Sequence, residues 1–365
     1  MKVVVAMDSF KGSLSSLEAG GAVRRGILRV CPDAGVTVIP LADGGEGTLD
    51  AIAPFTGGVT KSLTVTGPLG KEVGASYIFD PASCTAYIEM AKASGLTLVP
   101  SDELDPYRAT TYGTGELIRD AIGNGAKRLF VFIGGSATND GGVGMLEALG
   151  GRFTDKEGRE ICRGAIGLKD LYSADLSVLL GKGLDITVAC DVTNPLCGEN
   201  GASLIYGPQK GATREMAEEM DGWLRSFALI TECDPYEEGT GAAGGMSFAL
   251  KNFLDARMMS GADIVMEITG ANSLISDCDV VVTGEGRMDL QTVNGKAPYK
   301  ILLAGKHFGK TVLGITGILG EGYEACIDAG FNSVTPLISP SMEREKALES
   351  VELTAASVFE KLIGG

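Results

Sequence analysis

The stretch RLFVFIGGSATNDGGVGMLEAL, residues 128–149, joins an apolar run to a helix-prone run through a glycine-rich turn. Apart from Arg128, residues 128–133 are all apolar, which is typical of a buried, parallel strand. Residues 145–149 favour a helix. A buried strand that leads directly into a helix is the repeating unit of α/β proteins, so this stretch indicates an α/β fold.

The turn between the two runs has the composition of a ligand-binding loop. Glycine lets the backbone approach a ligand closely, and the N–H groups at a helix start favour anions. We therefore predict that this loop binds phosphate. Its candidate residues are Gly134, Gly135, Ser136, Ala137, Thr138, Asn139, Asp140, Gly141 and Gly142. The alternative interpretation is a tight turn in which Asn139 and Asp140 only cap the helix.

Apolar runs that end in polar loops recur near both chain ends, at residues 3–7, 36–41, 280–282 and 311–315. Helical patterns alternate with these runs, which indicates a parallel sheet. Open parallel sheets bind ligands at the carboxyl ends of their strands. The middle of the chain differs, because the runs between residues 63 and 90 are typical of antiparallel strands.

These patterns predict an α/β protein of two domains. Residues 1–66 and 276–365 are expected to form a discontinuous, Rossmann-like domain with a parallel sheet. Residues 67–275 are expected to form an inserted, mixed α/β domain that carries the glycine-rich loop.

The first apolar run is followed by a carboxylate, a hydroxyl and an ammonium group within four residues. Lys11 is expected to meet an anionic substrate or a phosphate, and Asp8 to orient a hydroxyl group or a metal ion, with Ser9 between them. The second run leads to Asp43 and Glu46, which suit a metal ion or a hydroxyl group. The alternatives are a capped turn with a solvated lysine in the first case and acids at a helix start in the second.

A third polar loop, residues 284–296, contains a forked cation, two acids and a second cation within thirteen positions. Arg287 suits a bidentate contact to a carboxylate or a phosphate. The alternative is a surface loop of ion pairs. After the apolar run at 186–190, Asp191 and Asn194 could each ligate Mg²⁺ or hold a substrate hydroxyl group.

Charge and cysteine usage exclude several classes of partner and location. The net charge of −16 argues against nucleic acid and anionic lipid as partners. The eight cysteines are scattered without a CxxC pair, as expected of reduced thiols in a cytoplasmic protein. No apolar run reaches the length of a membrane span, and the N-terminal run is too short for a signal peptide.

Several segments, in order along nearly the whole chain, together resemble the bacterial glycerate kinase family, the group that contains the glycerate 2-kinases. The matching segments are DSFKG (8–12), ADGGEGT (42–48), GGSATNDGG (134–142), DVTNPLCGENGA (191–202), GPQKGA (207–212), GAAGG (241–245) and TGEGRMD with QT and GK (283–296). The resemblance implies ATP-dependent phosphorylation of D-glycerate with Mg²⁺, giving 2-phosphoglycerate or 3-phosphoglycerate. It also implies two α/β domains with the site in the cleft between them.

On this basis the residues 134–142 are assigned to ATP, and Asp191 to Mg²⁺. The candidate catalytic residues are Asp8, Lys11, Asp191, Arg287 and Asp289. The candidate substrate-binding residues are Ser9, Asp43, Gly44, Gly45, Glu46, Glu285, Gln291 and Lys296. Asp8, Asp191 and Asp289 are alternative acceptors of the substrate's hydroxyl proton.

Two other functions stay open: a kinase for another small hydroxy acid, and a non-catalytic sensor of an organic acid or a nucleotide. The sequence also leaves open whether the chain forms a homo-oligomer.

Overall fold

The computed structural model describes residues 1–10 and 12–364, which form two compact units. Unit 1 comprises residues 1–43, 50–55 and the chain from 262 onward. Unit 2 comprises residues 44–49 and 56–261.

The strands, numbered along the chain, are β1 (Lys2–Met7), β2 (Gly35–Pro40), β3 (Val59–Thr66), β4 (Glu72–Asp80), β5 (Thr85–Glu89), β6 (Arg128–Phe132), β7 (Arg152–Thr154), β8 (Ser173–Asp175), β9 (Asp185–Ala189), β10 (Arg257–Met259), β11 (Val280–Gly284), β12 (Arg287–Met288), β13 (Thr311–Thr316), β14 (Ile318–Leu319) and β15 (Ser333–Pro336).

The α-helices are α1 (Ser16–Val30), α2 (Thr48–Ile52), α3 (Ala91–Ser94), α4 (Tyr112–Gly123), α5 (Val143–Ala148), α6 (Ala202–Tyr206), α7 (Arg214–Ile230), α8 (Ala242–Leu254), α9 (Gly261–Thr269), α10 (Ala271–Ser276), α11 (Ala297–His307), α12 (Glu324–Ala329) and α13 (Arg344–Gly364).

Unit 1 is built on a parallel sheet with the strand order β15-β13-β11-β1-β2. The central strand β1 is apolar on both faces, as expected of a strand covered on both sides. Val3, Val5 and Met7 pack with α1 and α13, whereas Val4 and Ala6 pack with α9, α10 and α11. The sheet is therefore the middle layer of three, and all five strands end at the same edge.

Unit 2 contains a mixed sheet with the order β10-β9-β6-β5-β4-β3. The strands β10, β9, β6 and β5 are parallel to one another. Strand β4 pairs in the antiparallel sense with both β5 and β3. Its core contains Tyr77, Phe227 and Phe248, all of them fully buried. The predicted α/β fold with one parallel and one mixed sheet is confirmed.

The bounds of the units differ from the predicted domain boundaries at 66 and 275. Strand β3 pairs with β4 from Val59↔Phe79 to Thr66↔Glu72, and this pairing places residues 59–66 in the mixed sheet. At the other boundary, α9 and α10 pack on the parallel sheet through Met266 and Ile275. Residues 262–275 therefore belong with unit 1.

Within residues 1–10 and 12–364, no helix combines the length and the apolar character that a membrane span requires.

Candidate functional site

At the carboxyl edge of the unit 1 sheet, the loops after β1 and β11 are adjacent. The backbone N–H of Asp8 donates to the carbonyl of Gly284 at 2.8 Å, directly after the last paired residues of the two strands. The Asp8 carboxylate in turn accepts a hydrogen bond from the N–H of Ser9 at 2.6 Å. Asp8 and Ser9 are half-buried, and Asp43, after β2, is exposed. Lys11, the predicted cation of this loop, lies outside the described residues.

An ionic cluster follows β11 and brings together five predicted substrate-binding or catalytic residues. Lys296 Nζ lies 3.2 Å from the Glu285 carboxylate and 3.7 Å from that of Asp289. Asp289 also lies 3.4 Å from Arg287 Nε and accepts a hydrogen bond from the N–H of Gln291 at 2.9 Å. The cluster therefore joins two cations to two acids in one short loop.

The members of the cluster differ in exposure, and this difference separates their roles. The Glu285 side chain is 12% exposed and accepts a hydrogen bond from the Thr292 hydroxyl at 2.7 Å. Because this carboxylate is itself held in place, it fixes the position of Lys296. The Arg287 side chain is 60% exposed, and its only ion pair among the described residues is the long one to Asp289. Arg287 is therefore the cation of this loop that can turn to an anion in solution.

In unit 2, residues 44–49 lie against the glycine-rich loop. The N–H of Gly134 donates to the carbonyl of Gly44 at 3.1 Å. A Cβ atom at Gly134 would lie 2.5 Å from the Cα of Gly45, so this approach requires glycine. Glu89, fully buried at the end of β5, accepts hydrogen bonds from the N–H groups of Gly47 and Leu49 at 3.1 and 2.9 Å. Glu46 is exposed and accepts a hydrogen bond from the Thr97 hydroxyl at 3.2 Å.

Most of the glycine-rich loop is buried. Gly135 is exposed and Gly134 half-buried, whereas residues 136–142 are all buried. Direct contact of ATP with residues 136–142 stays a prediction, and the surface that this structure offers to a ligand is the backbone of Gly134 and Gly135.

The carboxylate of Asp140 occupies the start of α5. Asp140 is fully buried and accepts hydrogen bonds from the N–H and the hydroxyl of Thr111 at 2.8 and 2.9 Å, from Gly142 N–H at 3.1 Å and from Gly144 N–H at 3.3 Å. Burial raises the pKa of Asp140, and these hydrogen bonds act in the opposite direction. The anion at this helix start is thus part of the chain, which favours the capping interpretation for Asp140.

Asp191 follows β9 and is exposed. Both of its carboxylate oxygens lie within 3.3 Å of the backbone nitrogen of Gly261. The Asn194 amide is engaged within the chain, because it donates to the Asn200 carbonyl at 2.8 Å and accepts from the Tyr206 hydroxyl at 2.6 Å. Among the described residues, no group of three or more His, Cys, Asp or Glu side chains is placed to hold a metal ion. A Mg²⁺ ion bound through Asp191 would take its other ligands from phosphates and water, which is the usual arrangement in kinases.

Lys210 lies behind the glycine-rich loop and was missed by the sequence reasoning. It is 2% exposed, and its ammonium group donates to Ser136 Oγ at 2.8 Å and to the carbonyl of Thr138 at 2.6 Å. Its one signal in the sequence is its place in GPQKGA, a segment that otherwise lacks charge. Burial lowers the pKa of Lys210 to about 7, and the neighbouring Asp140 carboxylate opposes this shift.

This lowered pKa predicts a pH dependence of stability. An unfolded lysine titrates near pH 10.4, about three units higher, so between these values the unfolded chain binds more protons than the folded one. The free energy of unfolding of the wild type, relative to Lys210→Met, should therefore rise from about pH 7 to about pH 9, with a limiting slope of about 1.4 kcal/mol per pH unit. Urea unfolding of both proteins at several pH values measures this difference, and parallel pH curves would contradict it.

Comparison with known proteins relates the whole chain to one family. The family model described as "Glycerate kinase family" matches residues 3–363. The glycerate kinase of Bacillus subtilis is 45% identical over 369 residues, covering 98% of this chain and 97% of the relative. The glycerate 2-kinase of Escherichia coli is 45% identical over 348 residues, covering 92% of this chain and 91% of the relative. The crystal structure of a candidate glycerate kinase 2 from Salmonella typhimurium has a TM-score of 0.89 and 42% identity, covering 100% of this chain and 99% of that one.

Proposed function

The chain belongs to the glycerate kinase family, and from this premise we propose that it transfers the γ-phosphate of ATP to the 2-hydroxyl group of D-glycerate. The products are 2-phosphoglycerate and ADP. The single observation that carries the proposal is the family match along almost the entire chain. The 2-hydroxyl is chosen over the 3-hydroxyl because a relative named glycerate 2-kinase shares 45% of its residues with this chain.

We assign recognition of the anionic substrate to the carboxyl edge of the unit 1 sheet. In phosphoryl transfer a protein mainly positions the reactants and neutralises charge. Arg287 and Lys11 hold the glycerate carboxylate or the phosphoryl group in transfer. Lys296 is kept in place by Glu285, which supports this role because an ammonium fixed by a buried carboxylate needs no reorganisation when an anion arrives.

The substrate's hydroxyl proton needs an acceptor, and three carboxylates are candidates. Asp8 is supported by its place at the end of the central strand β1, where its carboxylate is already oriented by the N–H of Ser9. Asp289 is held between Arg287 and Lys296, and Asp191 is the candidate in unit 2.

We assign the ATP phosphates to the backbone of Gly134 and Gly135, with Gly45 and Glu46 beside them in unit 2. This is supported by the exposure of Gly135. Asp191 is assigned to Mg²⁺, which, when bound, offsets the negative charge of the phosphates. We also infer a cytoplasmic location, because all eight cysteines are free.

The decisive measurement is ATP turnover with D-glycerate, L-glycerate and other small hydroxy acids, with phosphorus NMR of the product. We expect D-glycerate to be the preferred acceptor and 2-phosphoglycerate the product. A 3-phosphoglycerate product would refute the choice of hydroxyl group, and faster turnover of another acid would refute the substrate. Binding of ATP or glycerate without any turnover would favour a sensor.

A further inference from the structure

A buried polar cluster joins the buried part of the glycine-rich loop to Lys210, and the reaction as proposed gives Lys210 no role. We define the loop-anchor cluster as Lys210, Ser136, Thr138, Asn139 and Asp140. Each of these residues is at most 7% exposed. Burial of two charged groups at once is costly unless their hydrogen bonds are satisfied, so the arrangement needs an explanation.

Lys210 reaches the loop from a distant part of the chain. It belongs to a short helical turn, Pro208–Lys210, that follows α6. The two hydrogen bonds of its ammonium group span 74 residues to Ser136 and 72 residues to Thr138. The first of these acceptors directly follows Gly135, the exposed residue of the loop. Lys210 therefore constrains the loop at the point where buried backbone gives way to exposed backbone.

Asn139 and Asp140, two further members of the loop-anchor cluster, form hydrogen bonds of their own. Asp140 is fixed by its four hydrogen bonds to Thr111, Gly142 and Gly144. The Asn139 amide donates to Ser203 Oγ at 2.7 Å. Thr138 Oγ1 and Asn139 Oδ1 are buried and have no hydrogen-bond partner among the described residues. Two buried side-chain oxygens without a partner lower stability, so the cluster is not optimised for stability alone.

We propose that Lys210 is a positioning residue for ATP, which fixes the Gly134–Gly135 backbone by holding Ser136 and Thr138. This inference rests on the proposed assignment of the ATP phosphates to that backbone. Lys210 is too deeply buried to touch the nucleotide, so its effect passes through the loop.

A merely structural lysine would have a different signature. Its loss would lower stability and the active fraction of the protein, but the remaining folded molecules would bind ATP normally. A positioning lysine instead changes the affinity for one substrate. The test must therefore separate the affinity for ATP from the affinity for glycerate and from the amount of folded protein.

The experiment compares the wild type with Lys210→Met and Ser136→Ala. ATP binding is measured by titration calorimetry without glycerate, and KM is measured for each substrate. For Lys210→Met we expect the Kd and KM for ATP to rise about tenfold or more, because a hydrogen bond to a charged group is lost at the loop. The KM for glycerate should stay within about twofold. Ser136→Ala, which removes one of the two acceptors, should weaken ATP binding about threefold.

Lys182→Met is the matched control, because Lys182 also belongs to unit 2 and donates to a backbone carbonyl, that of Leu176, at 2.7 Å. Lys182→Met should leave the Kd for ATP unchanged. An unchanged Kd for ATP in folded Lys210→Met overturns the proposal, and if that variant does not fold, an unchanged Kd in Ser136→Ala overturns it. Calorimetry needs no turnover, so a wild type that binds ATP but does not phosphorylate glycerate would refute the function and still leave Lys210 testable.

Discussion

The Gly244→Ala variant is expected to lose about 3 kcal/mol or more of its free energy of unfolding. Gly244 lies in a kink near the start of α8, where residues 243–245 are not helical, and its φ of +68° is a conformation that alanine adopts only at a cost. The added Cβ would lie 2.1 Å from the carbonyl oxygen of Thr138 and 2.7 Å from the Cα of Asn139. Both are backbone atoms of the glycine-rich loop, so relief of the clash requires the loop itself to move.

Gly222→Ala is the matched control for this change. Gly222 is exposed in the middle of α7, and no atom lies within 4 Å of an added Cβ. Alanine there should raise the free energy of unfolding by about 0.5–1 kcal/mol. Urea unfolding of the two variants and the wild type gives the comparison. Equal stabilities of Gly244→Ala and the wild type would show that the loop tolerates displacement from α8.

The Arg287→Ala variant is expected to lose activity without losing stability. Its kcat/KM for glycerate should fall about 10²–10³-fold, which corresponds to roughly 3–4 kcal/mol of transition-state stabilisation by one cation. The side chain is 60% exposed, and its ion pair with Asp289 is long, at 3.4 Å, so the fold depends little on it. Steady-state kinetics with ATP and D-glycerate, together with thermal unfolding, test both parts of the prediction.

Arg25→Ala controls for the loss of a surface arginine from unit 1. The Arg25 side chain is 53% exposed and lies 2.8 Å from Glu352, so it pairs α1 with α13 and takes no part in the ionic cluster after β11. Its removal should leave kcat/KM within about twofold of the wild type. Lys11→Ala belongs in the same series, and near-normal kcat/KM in both Lys11→Ala and Arg287→Ala would refute the assignment of these cations.

Local patterns were sufficient to predict most of the fold. Val3, Val4 and Val5 alternate between two faces of the sheet that are both buried, so this strand is a continuous apolar run in the sequence. Runs of this kind predicted β1, β6 and β11 correctly. The capping box of Ser15 and Glu18 begins α1, as its sequence spacing indicates. The bounds of the two units were harder to predict from the sequence. They depend on which strand pairs with β3 and not on any feature of β3 itself.

The candidate site shows the same limit. Glu285, Arg287, Asp289 and Lys296 are near in sequence, and the structure joins their side chains in ion pairs, as the alternative of an ion-pair loop describes. Their contact with an anionic substrate stays a prediction. Two of the four hydrogen bonds that the buried Asp140 carboxylate accepts come from Thr111, which is 29 residues away. The burial of Lys210 likewise depends on partners more than 70 residues away. The hydrogen-bond partners of Asp140 and Lys210 could not be predicted from the sequence, because both sets of contacts follow from tertiary packing.

The order of the strands in unit 1 also has a consequence for synthesis of the protein. β1 has β2 on one side and β11 on the other, so one of its partners is made early and the other begins only at Val280. At about 5–20 residues per second, a ribosome needs roughly 10–50 s to pass from β2 to β11. The unit 2 strands β3 to β10 are all translated in that interval. Until β11 is made, β1 can pair only with β2, and its other edge lacks its partner strand during that interval.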